Sequence, residues 1–193
     1  MSVNGAPSLL EVRDLRVDFK APRGIVRAVD GLCYSVRKGE TVAVVGESGS
    51  GKTVSSRAIM GLLPPSASVS GSVRFEGQEL VGLPERAMRV HRGTAIAMVF
   101  QDPARTLNPT MRVGAQITEA LRAHAQLSRA QAYDRAIELM QLVRLPAAGE
   151  RFHQYPHQLS GGMRQRVTIA IAIAADTKLL IADEATTALD VTT

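Results

Sequence analysis

A single cysteine, Cys33, stands among 193 residues, so the chain can form no internal disulfide and suits a reducing compartment such as the cytoplasm. Long apolar runs are missing too. The longest, Val167 to Ala175, is about half of the roughly 18 to 20 residues that span a bilayer. Asp176 and Lys178 follow it, and the chain is expected not to cross a membrane. Met1 to Pro7 contains no basic segment leading into an apolar one, which argues against a secretory signal. Charge of one sign is nowhere concentrated: 23 Lys and Arg against 18 Asp and Glu give a net +5, but the signs are interspersed, unlike a polybasic arm or disordered tail. Internal repeats and low-complexity segments are lacking. What is present, 45% hydrophobic and 21% charged residues, suffices for one globular domain with a sizeable core and falls short of two.

Alternation of apolar and polar residues over Leu9 to Phe19, with a slip near Asp14, predicts a half-buried, bulged strand. A second strand is expected over Val29 to Val36. The short β-branched run Thr41 to Val45 reads as a strand buried on both faces. A glycine-rich loop and a helix from Lys52 follow, closed by Pro64-Pro65. Strands are predicted over Ser70 to Phe75 and Ala95 to Phe100, on either side of an Arg-rich helical stretch from Pro84 to His91. From Asp102 to Pro156 the composition shifts to Ala, Gln, Leu and Arg with helical periodicity. Ser128-Arg-Ala-Gln131 is a capping box, and Ala136, Met140 and Val143 share one face of its helix, which must end near Pro146. After this helical insertion come the turn Ser160-Gly161-Gly162, a helix to about Ala175, and a strand from Lys178 to Ala182.

Three constellations carry chemistry. Gly46-Glu47-Ser48-Gly49-Ser50-Gly51-Lys52-Thr53 fits the phosphate-binding P-loop pattern between a buried strand and a helix. Its glycines let successive N–H groups turn toward a polyphosphate, and the helix N-terminus adds its dipole. Lys52 would reach the outer phosphates and Thr53 would offer a hydroxyl to Mg²⁺. Leu179 to Ala182 ends in two carboxylates, Asp183 and Glu184; in P-loop enzymes the first holds Mg²⁺ and the second can polarise the attacking water. Ser160 and the glycines after it open a helix, a second anion site.

Leu159-Ser160-Gly161-Gly162-Met163-Arg164-Gln165-Arg166 resembles the signature sequence of ABC ATPases, standing between a Gln-containing loop and the Asp-Glu strand as in that family. The resemblance implies that Ser160, Gly161, Gly162 and Gln165 meet the γ-phosphate of ATP held by the P-loop of a second subunit. Phe100-Gln101-Asp102-Pro103 resembles the Q-loop, whose glutamine contacts the Mg²⁺ and attacking-water region. Phe19 stands where the family places an aromatic that stacks on adenine, and reads equally well as core. Ala188-Leu189-Asp190 resembles the D-loop that crosses the dimer interface.

The stretches Val99 to Pro109 and Tyr155 to Arg166 resemble the ATPase subunits of bacterial dipeptide and oligopeptide importers, a group that includes nickel importers. The likeness runs from about Leu9 to Thr192. The family usually has Pro where Ala185 follows Glu184, and Asp-Pro where this chain has Asp176-Thr177. The implied fold is α/β: a P-loop NTPase core with a mostly parallel sheet, an antiparallel β part and an inserted helical subdomain. Within one ABC ATPase domain, residues 1–101 form the β part and core, 102–158 the helical subdomain, and 159–193 the signature helix, Asp183 strand and D-loop. In the family a helix, a parallel strand and a switch histidine come after the D-loop. The chain is thus expected to be C-terminally truncated, short of an interior strand, and poorly stable and weakly active alone.

The implied function is ATP binding and hydrolysis with Mg²⁺, energising import of peptides or a related solute at the cytoplasmic face of the inner membrane. The implied partners are a second ABC ATPase subunit, two integral membrane permease subunits and, indirectly, a solute-binding protein, with no nucleic acid. The alternatives are a soluble ABC ATPase acting on DNA or ribosomes, which the pI near 9.9 would favour, and a module that binds nucleotide without hydrolysing it. His153 and His157 have i,i+4 spacing, but Pro156 breaks the helix a metal pair needs. Cys33 is expected to be a small core residue, and Arg86, Arg89 and Arg92 a solvated face.

Overall fold

The computed structural model describes residues 8–22 and 24–184, the side chain of residue 124 excepted. The chain divides after His91 into two compact units.

The first unit is built on a four-stranded antiparallel sheet. Strand β1 (Leu10–Ala21) pairs with β2 (Gly24–Val36) and β3 (Ala67–Phe75), and β3 with β4 (Gln78–Glu79), in the order β2-β1-β3-β4. The period-two pattern puts Leu10, Val12, Leu15 and Val17 in the core with Val73 and Phe75, each at most 2% exposed. The expected slip is a bulge: Val12 pairs with Tyr34 and Leu15 with Leu32, so Arg13 and Asp14 together face Cys33. The same bulge corrects the reading of Cys33 as a core residue. The thiol is exposed, and its Sγ accepts a hydrogen bond from the Asp14 N–H at 3.0 Å.

Helix α1 (Lys52–Ile59) lies against β1 and β2. Its end is not set by Pro64-Pro65. The Leu62 N–H donates to the Arg57 carbonyl and the Gly61 N–H to the Ala58 carbonyl, the paired bonds of a Schellman motif around left-handed Gly61 (φ 60°). A second correction concerns Thr41 to Val45, which forms no strand. Val42, Val44 and Val45 are 39%, 46% and 91% exposed. β-propensity expresses packing against neighbouring strands, and among the described residues none pairs with this run. Helix α2 (Glu85–His91) follows, with Arg86 and Arg89 exposed as expected and Arg92, just beyond it, half-buried.

The second unit joins a two-stranded parallel ladder to a helical bundle. β5 (Ile96–Val99) and β6 (Leu179–Ala182) pair from Ile96–Leu179 to Val99–Ala182. Between them come α3 (Pro103–Thr106), α4 (Val113–His124), α5 (Arg129–Leu142), α6 (Ala148–Phe152), a 3₁₀ turn at Pro156–Gln158, and α7 (Gly161–Ala172). The parallel part of the fold is therefore two strands among the described residues. The capping box at Ser128 is formed: its side chain accepts from the Gln131 N–H, and Gln131 reaches back to the Ser128 N–H. Ala136 and Met140 of α5 are fully buried against Val113, Ile117, Val167 and Ala170. Among the described residues, no helix is long and apolar enough to cross a membrane.

Candidate nucleotide-binding elements

The loop before α1 is shaped by its own backbone. The Ser50 N–H bonds to the Glu47 carbonyl at 3.2 Å. Gly51, the N-cap of α1, is left-handed at φ 88°, and a Cβ there would overlap the carbonyl oxygen of Ala28 on β2. Only glycine allows that approach. Lys52 Nζ donates to the carbonyls of Gly46 and Glu47, both at 2.7 Å, which holds the ammonium across the loop. Residues Gly46 to Ser50 are exposed, while Gly51, Lys52 and Thr53 are half-buried. No side chain caps α1, and no acidic residue stands in its first turn. An uncapped helix start with a cation beside it suits an anion, and a polyphosphate fits this donor set.

Asp183 continues the parallel ladder of the second unit. The Asp183 N–H donates to the Val99 carbonyl at 2.9 Å, one step beyond the last strand pair, and Asp183 is 4% exposed. Gln101 and Glu184 lie outside the ladder and are exposed. Gln101 Nε2 donates to Glu184 Oε2 at 2.5 Å, joining residues 83 positions apart. The Thr53 hydroxyl in the first unit, and separately the Gln101 amide and Asp183 carboxylate in the second, are each hard oxygen donors of the kind Mg²⁺ takes. That ion is usually held by one or two carboxylates together with substrate phosphates. Among the described residues no group of three or more His, Cys, Asp and Glu is arranged to hold a metal. His157 instead stacks on Tyr155 at 5.7 Å.

Helix α7 opens as the sequence predicts. Ser160 is its N-cap, with Oγ accepting from the Met163 N–H at 3.3 Å. The serine O–H remains available as a donor beside the N–H groups of the first turn. Ser160 and Gly161 are exposed and Gly162 half-buried, whereas Gln165 is 1% exposed and faces the interior of its own unit. Phe19 is half-buried on β1, opposite Val26 and Ala67. Asp190 and Ala185 lie outside the described residues. Sequence reasoning did not anticipate the two arginines that fix α7: Arg164 Nε donates to the Pro156 carbonyl and Arg166 Nη1 to the Val143 carbonyl, both at 2.7 Å. Their partners lie 8 and 23 residues away, beyond any local pattern.

The profile of the ABC transporter family matches residues 29–187. The chain belongs to the ABC transporter family. This ABC chain is 55% identical over 186 residues to the oligopeptide transport ATP-binding protein OppD of Bacillus subtilis, covering 95% of the chain and 52% of that protein. It is 51% identical to OppD of Salmonella typhimurium, covering 95% of the chain and 55% of that protein. With the dipeptide transport ATP-binding protein DppD of Bacillus subtilis the identity is 50%, over 95% of the chain and 56% of that protein. The chain thus spans about half the length of the curated relatives it matches. Its fold is similar to that of the ATP-binding cassette MJ0796 in a dimeric post-hydrolysis state bound to ADP and Pi. The TM-score is 0.85 at 27% identity, covering 95% of the chain and 77% of that structure.

Proposed function

We propose that the chain is the ATP-binding and hydrolysing part of a subunit that energises import of peptides, or of a related solute such as nickel, across the bacterial inner membrane from its cytoplasmic face. The observation that carries the nucleotide reading is Lys52, bonded to Gly46 and Glu47 across a loop that ends in an uncapped helix. The transport reading is supported by the resemblance to the OppD and DppD proteins.

In this reading the N–H groups from Gly46 to Gly51, with Glu47, Ser48, Gly49 and Ser50 between them, line the phosphates, and Phe19 flanks the adenine. Lys52 exchanges its two carbonyl partners for phosphate oxygens, a charge-assisted contact stronger than the bonds it gives up. Thr53, Gln101 and Asp183 are the oxygen donors for Mg²⁺, which when bound neutralises phosphate charge. Glu184 holds a water and accepts its proton as that water attacks. Ser160, Gly161 and Gly162 offer an O–H and N–H groups to the nucleotide of a second ABC ATPase subunit, a copy or a paralogue. Gln165, being buried, acts there through the set of α7, and Asp190 belongs to the same subunit contact. Two membrane permease subunits and a solute-binding protein complete the assembly, which involves no nucleic acid.

The test is titration of the chain with a fluorescent ATP analogue, followed by turnover with its partner subunit. Lys52→Ala should weaken binding by at least about tenfold. Glu184→Gln should keep binding and lose most hydrolysis. Binding by Lys52→Ala equal to that of the unmodified chain would sink the nucleotide assignment; equal turnover with and without Glu184 would sink the hydrolytic one.

A further inference from the structure

At the end of the first unit's sheet where β1 begins lies a cleft of about 620 Å³, a volume typical of small-molecule sites. Among the residues lining it are Leu9, Glu11, Lys38, Arg74, Glu76 and Gly77, all within that unit and none used by the nucleotide reading. Leu9 continues the sheet beyond β1: its N–H donates to the Val36 carbonyl at 2.8 Å, and its carbonyl accepts from the Glu76 N–H at 2.9 Å. Residues two apart on a strand share a face, so Leu9 and Glu11 lie on the face opposite Leu10 and Val12, which enter the core. Leu9 is itself buried and gives the cleft an apolar wall. Glu76 and Gly77, left-handed at φ 48° and 83°, form the two-residue loop between β3 and β4, which sets Glu76 at the cleft.

The charges around this cleft are not spent on one another. Glu11 stands directly opposite Arg74 in the β1–β3 register, a placement in which opposite charges ordinarily pair. Instead Glu11 Oε1 takes Nη2 of Arg13 at 2.5 Å, and Arg74 Nε lies 3.8 Å from Glu79 Oε2, beyond hydrogen-bond reach. Glu79 already accepts from Ser72, Val73 and Val81. Lys38 is exposed and enters no ion pair or hydrogen bond among the described residues. Two cations and two carboxylates thus line one cleft beside an apolar wall. A ligand of a single sign would be attracted by one pair and repelled by the other, whereas a small zwitterion satisfies both. We propose that the cleft binds a free amino acid or short peptide with an aliphatic side chain: carboxylate on Lys38 and Arg74, ammonium on Glu11 and Glu76, side chain against Leu9.

Contacts to exposed charges are individually weak, so the expected dissociation constant is about 1 mM. In ¹H–¹⁵N spectra of the full chain, titration with leucine or with alanyl-leucine should shift the Leu9 and Gly77 backbone amides saturably. The one that saturates at the lower concentration identifies the ligand as amino acid or peptide. N-acetyl-leucine lacks the ammonium and leucinamide the carboxylate, and each should bind at least about threefold more weakly. Lys38→Gln and Glu11→Gln should each weaken binding of the zwitterion by a similar factor, with the Val17 amide of the same sheet unmoved. The absence of a saturable shift at Gly77 with either zwitterion up to about 10 mM overturns the site. Equal binding of N-acetyl-leucine would make it an anion site and equal binding of leucinamide a cation site, and either overturns the zwitterion. Unchanged affinity in both Lys38→Gln and Glu11→Gln overturns the assigned contacts. None of these outcomes bears on the nucleotide reading, which the Lys52→Ala titration decides.

Discussion

Arg166 Nη1 donates to the carbonyl of Val143 at 2.7 Å, tying the helix that opens at Ser160 to the C-terminal end of α5. Val143 is the C-cap of α5, so the guanidinium satisfies a carbonyl the helix cannot and meets the negative end of its dipole. Arg166→Ala should cost about 1 to 2 kcal/mol, read as a lowered urea midpoint. Lysine reaches as a single point charge without the planar fork, so Arg166→Lys should recover part of the loss. Equal midpoints for the Ala variant and the unmodified chain would show that the bond contributes nothing.

Two glycines of the phosphate loop should respond differently to alanine. Both are left-handed, Gly49 at φ 83° and Gly51 at φ 88°, so each substitution carries a backbone cost of about 1 to 2 kcal/mol. At Gly49 a Cβ meets nothing within 4 Å, whereas at Gly51 it overlaps the Ala28 carbonyl. Gly49→Ala should fold with a modestly lowered melting temperature. Gly51→Ala should add at least about 1 kcal/mol to that loss and displace α1 from β2, weakening ATP-analogue binding further. Matching melting temperatures for the two variants would contradict the assigned contact.

What the sequence discloses follows the range of the interaction. The caps at Ser128 and Ser160 and the helix from Lys52 are local, set within three or four residues, and all three are formed. The bulge at Asp14 is visible as a break in alternation. Thr41 to Val45 has strand composition without a strand, because the partners that would bury Val44 and Val45 are not encoded in those five residues. Cys33 looked apolar and is exposed, because a bulge on the neighbouring strand decides which way it faces. At the candidate site, the residues belong to patterns legible in the sequence, whereas their couplings do not. Gln101 and Glu184 each belong to a recognisable pattern, yet their contact arises only when β5 and β6 pair. The demand of Ala28 for glycine at position 51 likewise exists only once α1 has docked on the sheet.

Gly114 on α4 presents a conflict between local and tertiary preference. In a helix, glycine to alanine ordinarily gains up to about 1 kcal/mol. Here a Cβ would overlap the ring of Phe152, which packs edge-on to Tyr133 at 4.7 Å. Overpacking costs about 1 to 3 kcal/mol, so Gly114→Ala should destabilise the helical bundle despite the better helix former. Adding Phe152→Leu should restore part of that loss. A double-mutant cycle of urea midpoints measures the coupling, and strict additivity would mean that the ring is not the obstacle.

Glu79 links the stability of the first unit to pH. Its carboxylate accepts from Ser72 Oγ at 2.5 Å, the Val73 N–H at 2.8 Å and the Val81 N–H at 3.1 Å. Partial burial works against its charged form, but the bonds from Ser72, Val73 and Val81, with Arg74 nearby, outweigh it and hold the carboxyl below its ordinary value. A depressed folded-state pKa stabilises the protein above the unfolded-state pKa, about 4.3, and that contribution is lost as pH falls through the lower folded value. The side chain is 39% exposed, so solvent screening limits the effect to about 1 kcal/mol. Glu79→Gln should therefore lower the urea midpoint at neutral pH, because an amide offers one acceptor oxygen where the carboxylate offers two. The gap between variant and unmodified chain should narrow as the pH is lowered through the carboxylate range. A gap that stayed constant from neutral pH down to about pH 3 would mean that Glu79 contributes shape to the β3–β4 turn and no charge-dependent stability.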